Sequence, residues 1–232
     1  PREFVQNHGI HLDLVFRKLP LGSDYTTDFC YLSKSSDNWN IVLIEIEKPQ
    51  SKYFRGTSTN LHSDFHAALD QIDEWRGWFD NRSNFDSFIN GTLGQLRIHL
   101  SRNPCNIKYV LVYGRRAEFE GNENRARKIR AKEKDDFQIL SYDSLAEALA
   151  SKRELYLGVK KNDHLDILSS QFISDALFAD LPPSYLRITD ELRSNILAHK
   201  SSWHYLSLSS PGKYVLESRL PLIGVLRDTK TS

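Results

Sequence analysis

Methionine is absent from this 232-residue chain, and cysteine occurs only twice, at Cys30 and Cys105. Two thiols are too few for a disulfide framework or a cysteine-rich zinc site, so both are expected to be reduced and interior. An excess of one charge is missing too: 31 Lys and Arg face 30 Asp and Glu, a net charge of +1. No global field advertises nucleic-acid binding, and any such surface must come from local clustering. No apolar run approaches the roughly 20 residues that a membrane helix needs. A basic-then-apolar leader is also lacking. The expectation is a cytoplasmic protein without a membrane partner. The start at Pro1 and the missing methionine point to a fragment of a longer protein. With 40% hydrophobic and 26% charged residues, the chain is composed like an ordinary globular protein.

What is present alternates between strand and helix patterns. Residues 2–14 read as a short opening helix, with Phe4 and Val5 its clearest apolar positions, and an extended stretch follows. Gly22-Ser23-Asp24 signals a turn. Residues 26–32 are β-prone, 33–38 form a polar loop, and residues 41–48 end at Pro49. The apolar stretch Ile41-Val42-Leu43-Ile44 suits a strand buried on both faces, and Pro49 cannot continue a ladder. Residues 64–80 give the clearest helix: Phe65, Ala68, Leu69, Ile72, Trp75 and Phe79 make one stripe, with Ser63 or Asp64 as cap. A helix is expected over 85–102, a core strand over 107–114 and a charged helix over 122–134. A short strand over 138–143 and a helix from Ser144 to 150 follow. Beyond Lys152 the pattern is less regular, and Pro182-Pro183 is its firm break. Strands that first form a hairpin and then alternate with helices predict an α/β fold with a mixed central β-sheet flanked by helices. Residues 1–152 would form the core. Residues 153–232 would be a C-terminal extension that completes the domain or forms an oligomer interface.

The acids carry the chemistry. If the β-prone run pairs with the apolar strand as a symmetric antiparallel hairpin, Asp28 lies opposite Glu45. Directly opposed residues bring their Cβ atoms to about 4.5–5.5 Å. Two like charges there are destabilising unless a proton or cation sits between them. Period-2 alternation puts Glu47 on the face of Glu45. Three converging carboxylates supply only hard oxygen ligands, which suit Mg²⁺, Mn²⁺ or Ca²⁺ rather than zinc. The alternative is that Glu45 and Glu47 mark where the strand leaves the core and meets water. A one-residue slip would also move Asp28 to the other face.

Leu21-Gly22-Ser23-Asp24-Tyr25-Thr26-Thr27-Asp28-Phe29, followed by Ile44-Glu45-Ile46-Glu47-Lys48-Pro49, resembles the nuclease domain of the Shedu antiphage-defence proteins. These belong to the PD-(D/E)XK nuclease superfamily. Ala67-Ala68-Leu69-Asp70-Gln71-Ile72-Asp73-Glu74-Trp75, Tyr113-Gly114-Arg115-Arg116 and Ser141-Tyr142-Asp143 continue the likeness in the order that family uses. The resemblance covers roughly residues 2–145. It implies a restriction-endonuclease-like core, Mg²⁺- or Mn²⁺-dependent cleavage of DNA of phage origin, and a homo-oligomer, with a tetramer as the family's form. On it, Asp28 matches the first metal-binding acid and Glu45 the acid of the (D/E)-x-K element. Glu47 stands where lysine is commonest, and Lys48 is expected on the opposite face of the strand. Glu47 would then act as base or extra ligand, and Gln71 would orient water or contact a phosphate.

Other candidates have plainer readings beside them. Arg115, Arg116 and Lys48 are candidate DNA contacts, since an arginine fork binds phosphate bidentately; surface arginines after a strand are also common. The basic run Arg125, Arg127, Lys128, Arg130, Lys132 and Lys134 reads as a solvated helix or an oligomer contact rather than a DNA track. His62 and His66 have metal-binding spacing but lack a third ligand nearby, and read as surface or interface histidines. Ser201-Ser202-Trp203-His204 suggests no catalytic serine. Two rivals to a nuclease remain: a nuclease-fold module that binds DNA or a partner without cutting, and an oligomeric scaffold.

Overall fold

Ile10, Leu12, Leu14 and Phe16 recur at every second position and are all buried, which is the period of a strand. The computed structural model describes residues 10–34, 37–97, 102–148, 155–169, 176–200 and 212–226, and opens with strand β1 (Ile10–Arg17). The helix expected over 2–14 is corrected there: 10–14 are strand, and 2–9 lie outside the described residues. Strands β2 (Pro20–Leu21) and β3 (Tyr25–Thr26) pair across the expected turn, where Gly22 takes φ +60.

Strands β4 (Phe29–Lys34) and β5 (Trp39–Ile46) form the expected antiparallel hairpin. The β-prone run 26–32 is split, because the Thr27 N–H turns away to the Leu19 carbonyl at 3.0 Å. Helix α1 (Ser63–Asp80) buries Phe65, Ala68, Ile72, Trp75, Trp78 and Phe79 along one stripe. Burying an aromatic side chain such as Phe65 contributes roughly 2–3 kcal/mol before chain entropy is counted. Its cap is neither Ser63 nor Asp64 but His62, whose Nδ1 accepts the Asp64 N–H at 3.2 Å.

The helix expected over 85–102 is broken into α2 (Arg82–Asp86), a wide π turn (Ser87–Thr92) and a 3-10 turn (Gly94–Leu96). Gly91 and Gly94 fall where a regular helix is weakest; residues 98–101 lie outside the described residues. Next come β6 (Cys105–Val112), α3 (Glu123–Arg130), β7 (Phe137–Leu140) and α4 (Tyr142–Ala148). The strand expected to run to 143 stops at Leu140, because Ser141 Oγ accepts the Ser144 N–H at 3.2 Å and starts the helix. The chain continues with β8 (Tyr156–Lys160), β9 (Leu165–Ser169), α5 (Ala176–Asp180) and β10 (Leu186–Ile188). It closes with α6 (Asp190–Ala198), α7 (Gly212–Arg219) and β11 (Gly224–Val225). Pro182-Pro183 lies between α5 and β10.

Nine of these strands make one mixed sheet, in the order β11-β10-β9-β8-β1-β4-β5-β6-β7. β5, β6 and β7 are parallel to one another, while β4 runs against both its neighbours. Strands from beyond residue 152 enter the same sheet through the parallel β1–β8 pair. β5 lies between β4 and β6 and its alternate residues fall in two separate cores, which explains its near-continuous apolar run. Trp39, Ile41 and Leu43 pack with α1 in the larger core. Val42 and Ile44 pack on the opposite face with Val110 and Val112, against Tyr142 and Leu145 of α4.

Candidate active site

The hairpin register carries the acids to one another. Phe29 pairs with Ile44 and Lys34 with Trp39, so one further step places Asp28 opposite Glu45. Parity agrees. Cys30 and Leu32 lie with the α1-side core while Tyr31 lies on the other face, and Leu43 shares the α1 side. Asp28, Glu45 and Glu47 therefore share the parity of the α1 side.

Asp28 is fixed by the end of the ladder itself. At Thr27 the chain leaves β5, and the Ile46 N–H would lose its partner; Asp28 Oδ2 accepts it at 2.8 Å. Asp28 Oδ1 receives the Lys18 ammonium. The hydrogen bond to Asp28 and that carboxylate's charge hold Lys18 above its usual range. Lys18 itself sits just after β1 in the left-handed region, at φ +53, and its N–H donates to the Asp28 carbonyl at 3.0 Å.

Glu45 has the opposite environment. Burial, and then the charge of Asp28, push its carboxyl up to about 7; Glu47 adds to this, while a hydrogen bond from Gln71 and the charge of Lys18 oppose it. Its Oε2 is buried with no hydrogen-bond partner among the described residues. An orphaned buried carboxylate oxygen, on a residue that feels the charge of two other acids, fits a hard divalent cation. Glu47 lies one residue past β5, with its N–H on the Val112 carbonyl at 2.9 Å and its own carbonyl accepting the Tyr142 hydroxyl at 2.5 Å. Among the described residues, no group of three or more His, Cys, Asp or Glu is arranged to hold a metal ion. The acids are neighbours in register and in charge, but not a closed ligand set.

The remaining candidates fall into two groups. Gln71, half-buried on α1, reaches Glu45 and belongs with the acids. The two arginines are engaged elsewhere. Arg115 grips Asp143 through Nε at 3.0 Å and Nη2 at 2.6 Å. Arg116 donates its N–H to Asp143 and its guanidinium to Glu147 at 2.7 and 2.8 Å. Gly114 makes this turn possible: at φ +50 a Cβ would stand 2.6 Å from the Ser51 carbonyl. Lys48 is exposed.

In the basic run, Arg125 binds the carbonyls of Gly56, Ser58 and Glu118, and Lys128 that of Thr59, so these two clamp the loop after β5. Arg127 and Arg130 pair with Glu123. His62 caps α1 and pairs with Asp64 at 3.5 Å, and His66 is exposed. Residues 201–204 lie outside the described residues. Cys30 is buried and Cys105 half-buried, and both are free thiols. Burial holds each thiol above its usual range.

Sequence reasoning missed Lys18 and Tyr142. Lys18 is ten residues from Asp28, and only the β2–β3 turn returns the chain to it. Tyr142 stood within a recognised motif, but its contact with Glu47 spans 95 residues.

A family model described as Shedu protein SduA, C-terminal, matches residues 2–146. No curated protein matches the chain.

Proposed function

The chain belongs to the Shedu SduA C-terminal family of antiphage defence, and from that premise we propose that it is a metal-dependent DNA endonuclease domain with a PD-(D/E)XK-type core. The observation that carries the proposal is the orphaned Glu45 Oε2, buried beside Asp28 and Glu47 at the end of a core strand. Carboxylate oxygens there repel one another until a cation joins them. Asp28, Glu45 and Glu47 are the residues that would hold Mg²⁺ or Mn²⁺. Such an ion supplies Lewis-acid polarisation of a phosphate and an acidified water.

The chain's own groups account for the rest. The Ile46 N–H holds Asp28 in place, and Gln71 orients Glu45. Tyr142 anchors the Glu47 backbone, so the Glu47 carboxylate can accept or orient a proton from the attacking water. Lys48, exposed just beyond, and Arg115 and Arg116 at the next strand end are the proposed backbone contacts for DNA. The arginines would have to exchange Asp143 and Glu147 for phosphate. The working form is a homo-oligomer in the cytoplasm.

A second reading is favoured by one contact. Lys18 neutralises Asp28, as expected of a module that binds DNA or a partner without cutting. Incubating DNA with the protein in Mg²⁺, in Mn²⁺ and in chelator separates the two. The endonuclease nicks DNA only with metal, and Asp28→Ala abolishes nicking. DNA retained equally in chelator, with no nicking under either metal, would establish the binding module instead.

A further inference from the structure

We infer that Lys18 is the site's own monovalent cation, holding the Asp28 oxygen that a divalent ion needs and releasing it when such an ion binds. The inference rests on the metal-site reading above and concerns how that same site is regulated. Three observations carry it.

The first is backbone strain. A non-glycine residue at φ +53 is strained and persists only where its surroundings impose it. Here the Lys18 N–H is tied to the Asp28 carbonyl at 3.0 Å. Its backbone is thereby held beside the acid to which its side chain donates.

The second is the division of Asp28. Oδ2 is taken by the Ile46 N–H, a fixed backbone donor of the sheet, at 2.8 Å. Oδ1 is taken by Lys18 Nζ, at the end of a four-carbon stem that is 57% exposed. One oxygen is locked, and the other is held by a group able to swing into solvent.

The third is charge. Lys18 Nζ pairs with Asp28, whose charge acts on it most strongly; that of Glu45 comes next and that of Arg17 opposes them. One ammonium cannot neutralise three carboxylates, and Glu45 Oε2 still lacks a partner. A dication neutralises more of the cluster, and it repels an ammonium bound to the same oxygen, so occupation is exclusive.

The test is calorimetric titration of Mn²⁺, without DNA, into the wild type, Lys18→Met and Lys18→Arg, with folding checked by circular dichroism. Removing the competitor should tighten Mn²⁺ binding about two- to fivefold in Lys18→Met, the scale of an exposed ion pair. Lys18→Arg should bind no more tightly than wild type, because a guanidinium keeps the seat. Binding by Lys18→Met that is unchanged or weaker overturns the inference and leaves the metal site standing. No Mn²⁺ bound by wild type or Lys18→Met overturns the metal reading, and the inference with it. Should Lys18→Met not fold, the Lys18 Nζ resonance of the wild type gives the answer by NMR. Saturating Mg²⁺ should move it to the position of a solvated lysine, and an unmoved signal overturns the inference.

Discussion

Two carboxylates at the same end of the sheet live in opposite surroundings. Asp143, at the start of α4, is gripped by the Arg115 side chain and the Arg116 N–H, and its carboxyl is held down to about 2. Glu45, at the end of β5, is half-buried with its Oε2 unpartnered among the described residues, and burial and the charges of Asp28 and Glu47 push it up to about 7. Asp143 is satisfied by the protein and closes a clamp between β6 and α4. Glu45 is left one partner short. The comparison teaches that acidity alone does not mark a site: a carboxylate becomes available for cation chemistry where the fold withholds its counter-charge.

The sharpest way to break this comparison is substitution on both sides. Glu45→Ala should cut metal-dependent cleavage by roughly 10²–10³-fold while the protein stays folded, since it removes a repelling charge. Asp143→Asn should leave cleavage standing. A folded Asp143→Asn protein without cleavage, measured on supercoiled DNA, would erase the distinction.

Next in size is the pH dependence of stability in chelator. The folded protein binds a proton at Glu45 that the unfolded chain has released, between its ordinary value of 4.5 and about 7. Stability should therefore fall as pH rises through that window and level off above it. Glu45→Gln should flatten the slope in urea denaturation; an equal slope in both proteins would place the proton elsewhere. Asp143 works the other way. Its contribution is present above the usual aspartate range and is lost as pH falls toward 2.

A smaller effect is expected at the junction of the two regions. Tyr142 opens the clamp's helix, α4, and reaches the Glu47 carbonyl. Tyr142→Phe should cost about 1 kcal/mol in chemical denaturation and lower cleavage severalfold. Full activity with full stability would uncouple the clamp from the acids. The smallest effect belongs to Arg115→Ala, whose exposed pair with Asp143 is screened by water. A slight drop in Tm is expected, and a large one would show that the clamp holds more than α4.

How much of this the sequence revealed depends on the range of the interaction. The β4–β5 register, whose continuation aims Asp28 at Glu45, was legible because hairpin pairing is set by a short loop and by alternation, and both were visible. The α1 stripe and the mixed sheet were legible for the same reason. β1 was misread although Ile10, Leu12, Leu14 and Phe16 alternate, because Phe4 and Val5 drew the helix pattern too far. Its bulge, with Leu12 and Asp13 at positive φ, is a distortion that no local propensity encodes. The partners of Arg115 and Arg116 escaped notice because Asp143 and Glu147 come from a helix about thirty residues on. Lys18 and Tyr142 reach the acids only through the assembled sheet.

The most direct test is anomalous diffraction from crystals soaked in Mn²⁺. The account predicts a peak bridging the Asp28 and Glu45 carboxylates, with Glu45 Oε2 among its ligands. A peak elsewhere, or acids left unchanged at saturating Mn²⁺ with Glu45 Oε2 still unpartnered, would contradict it.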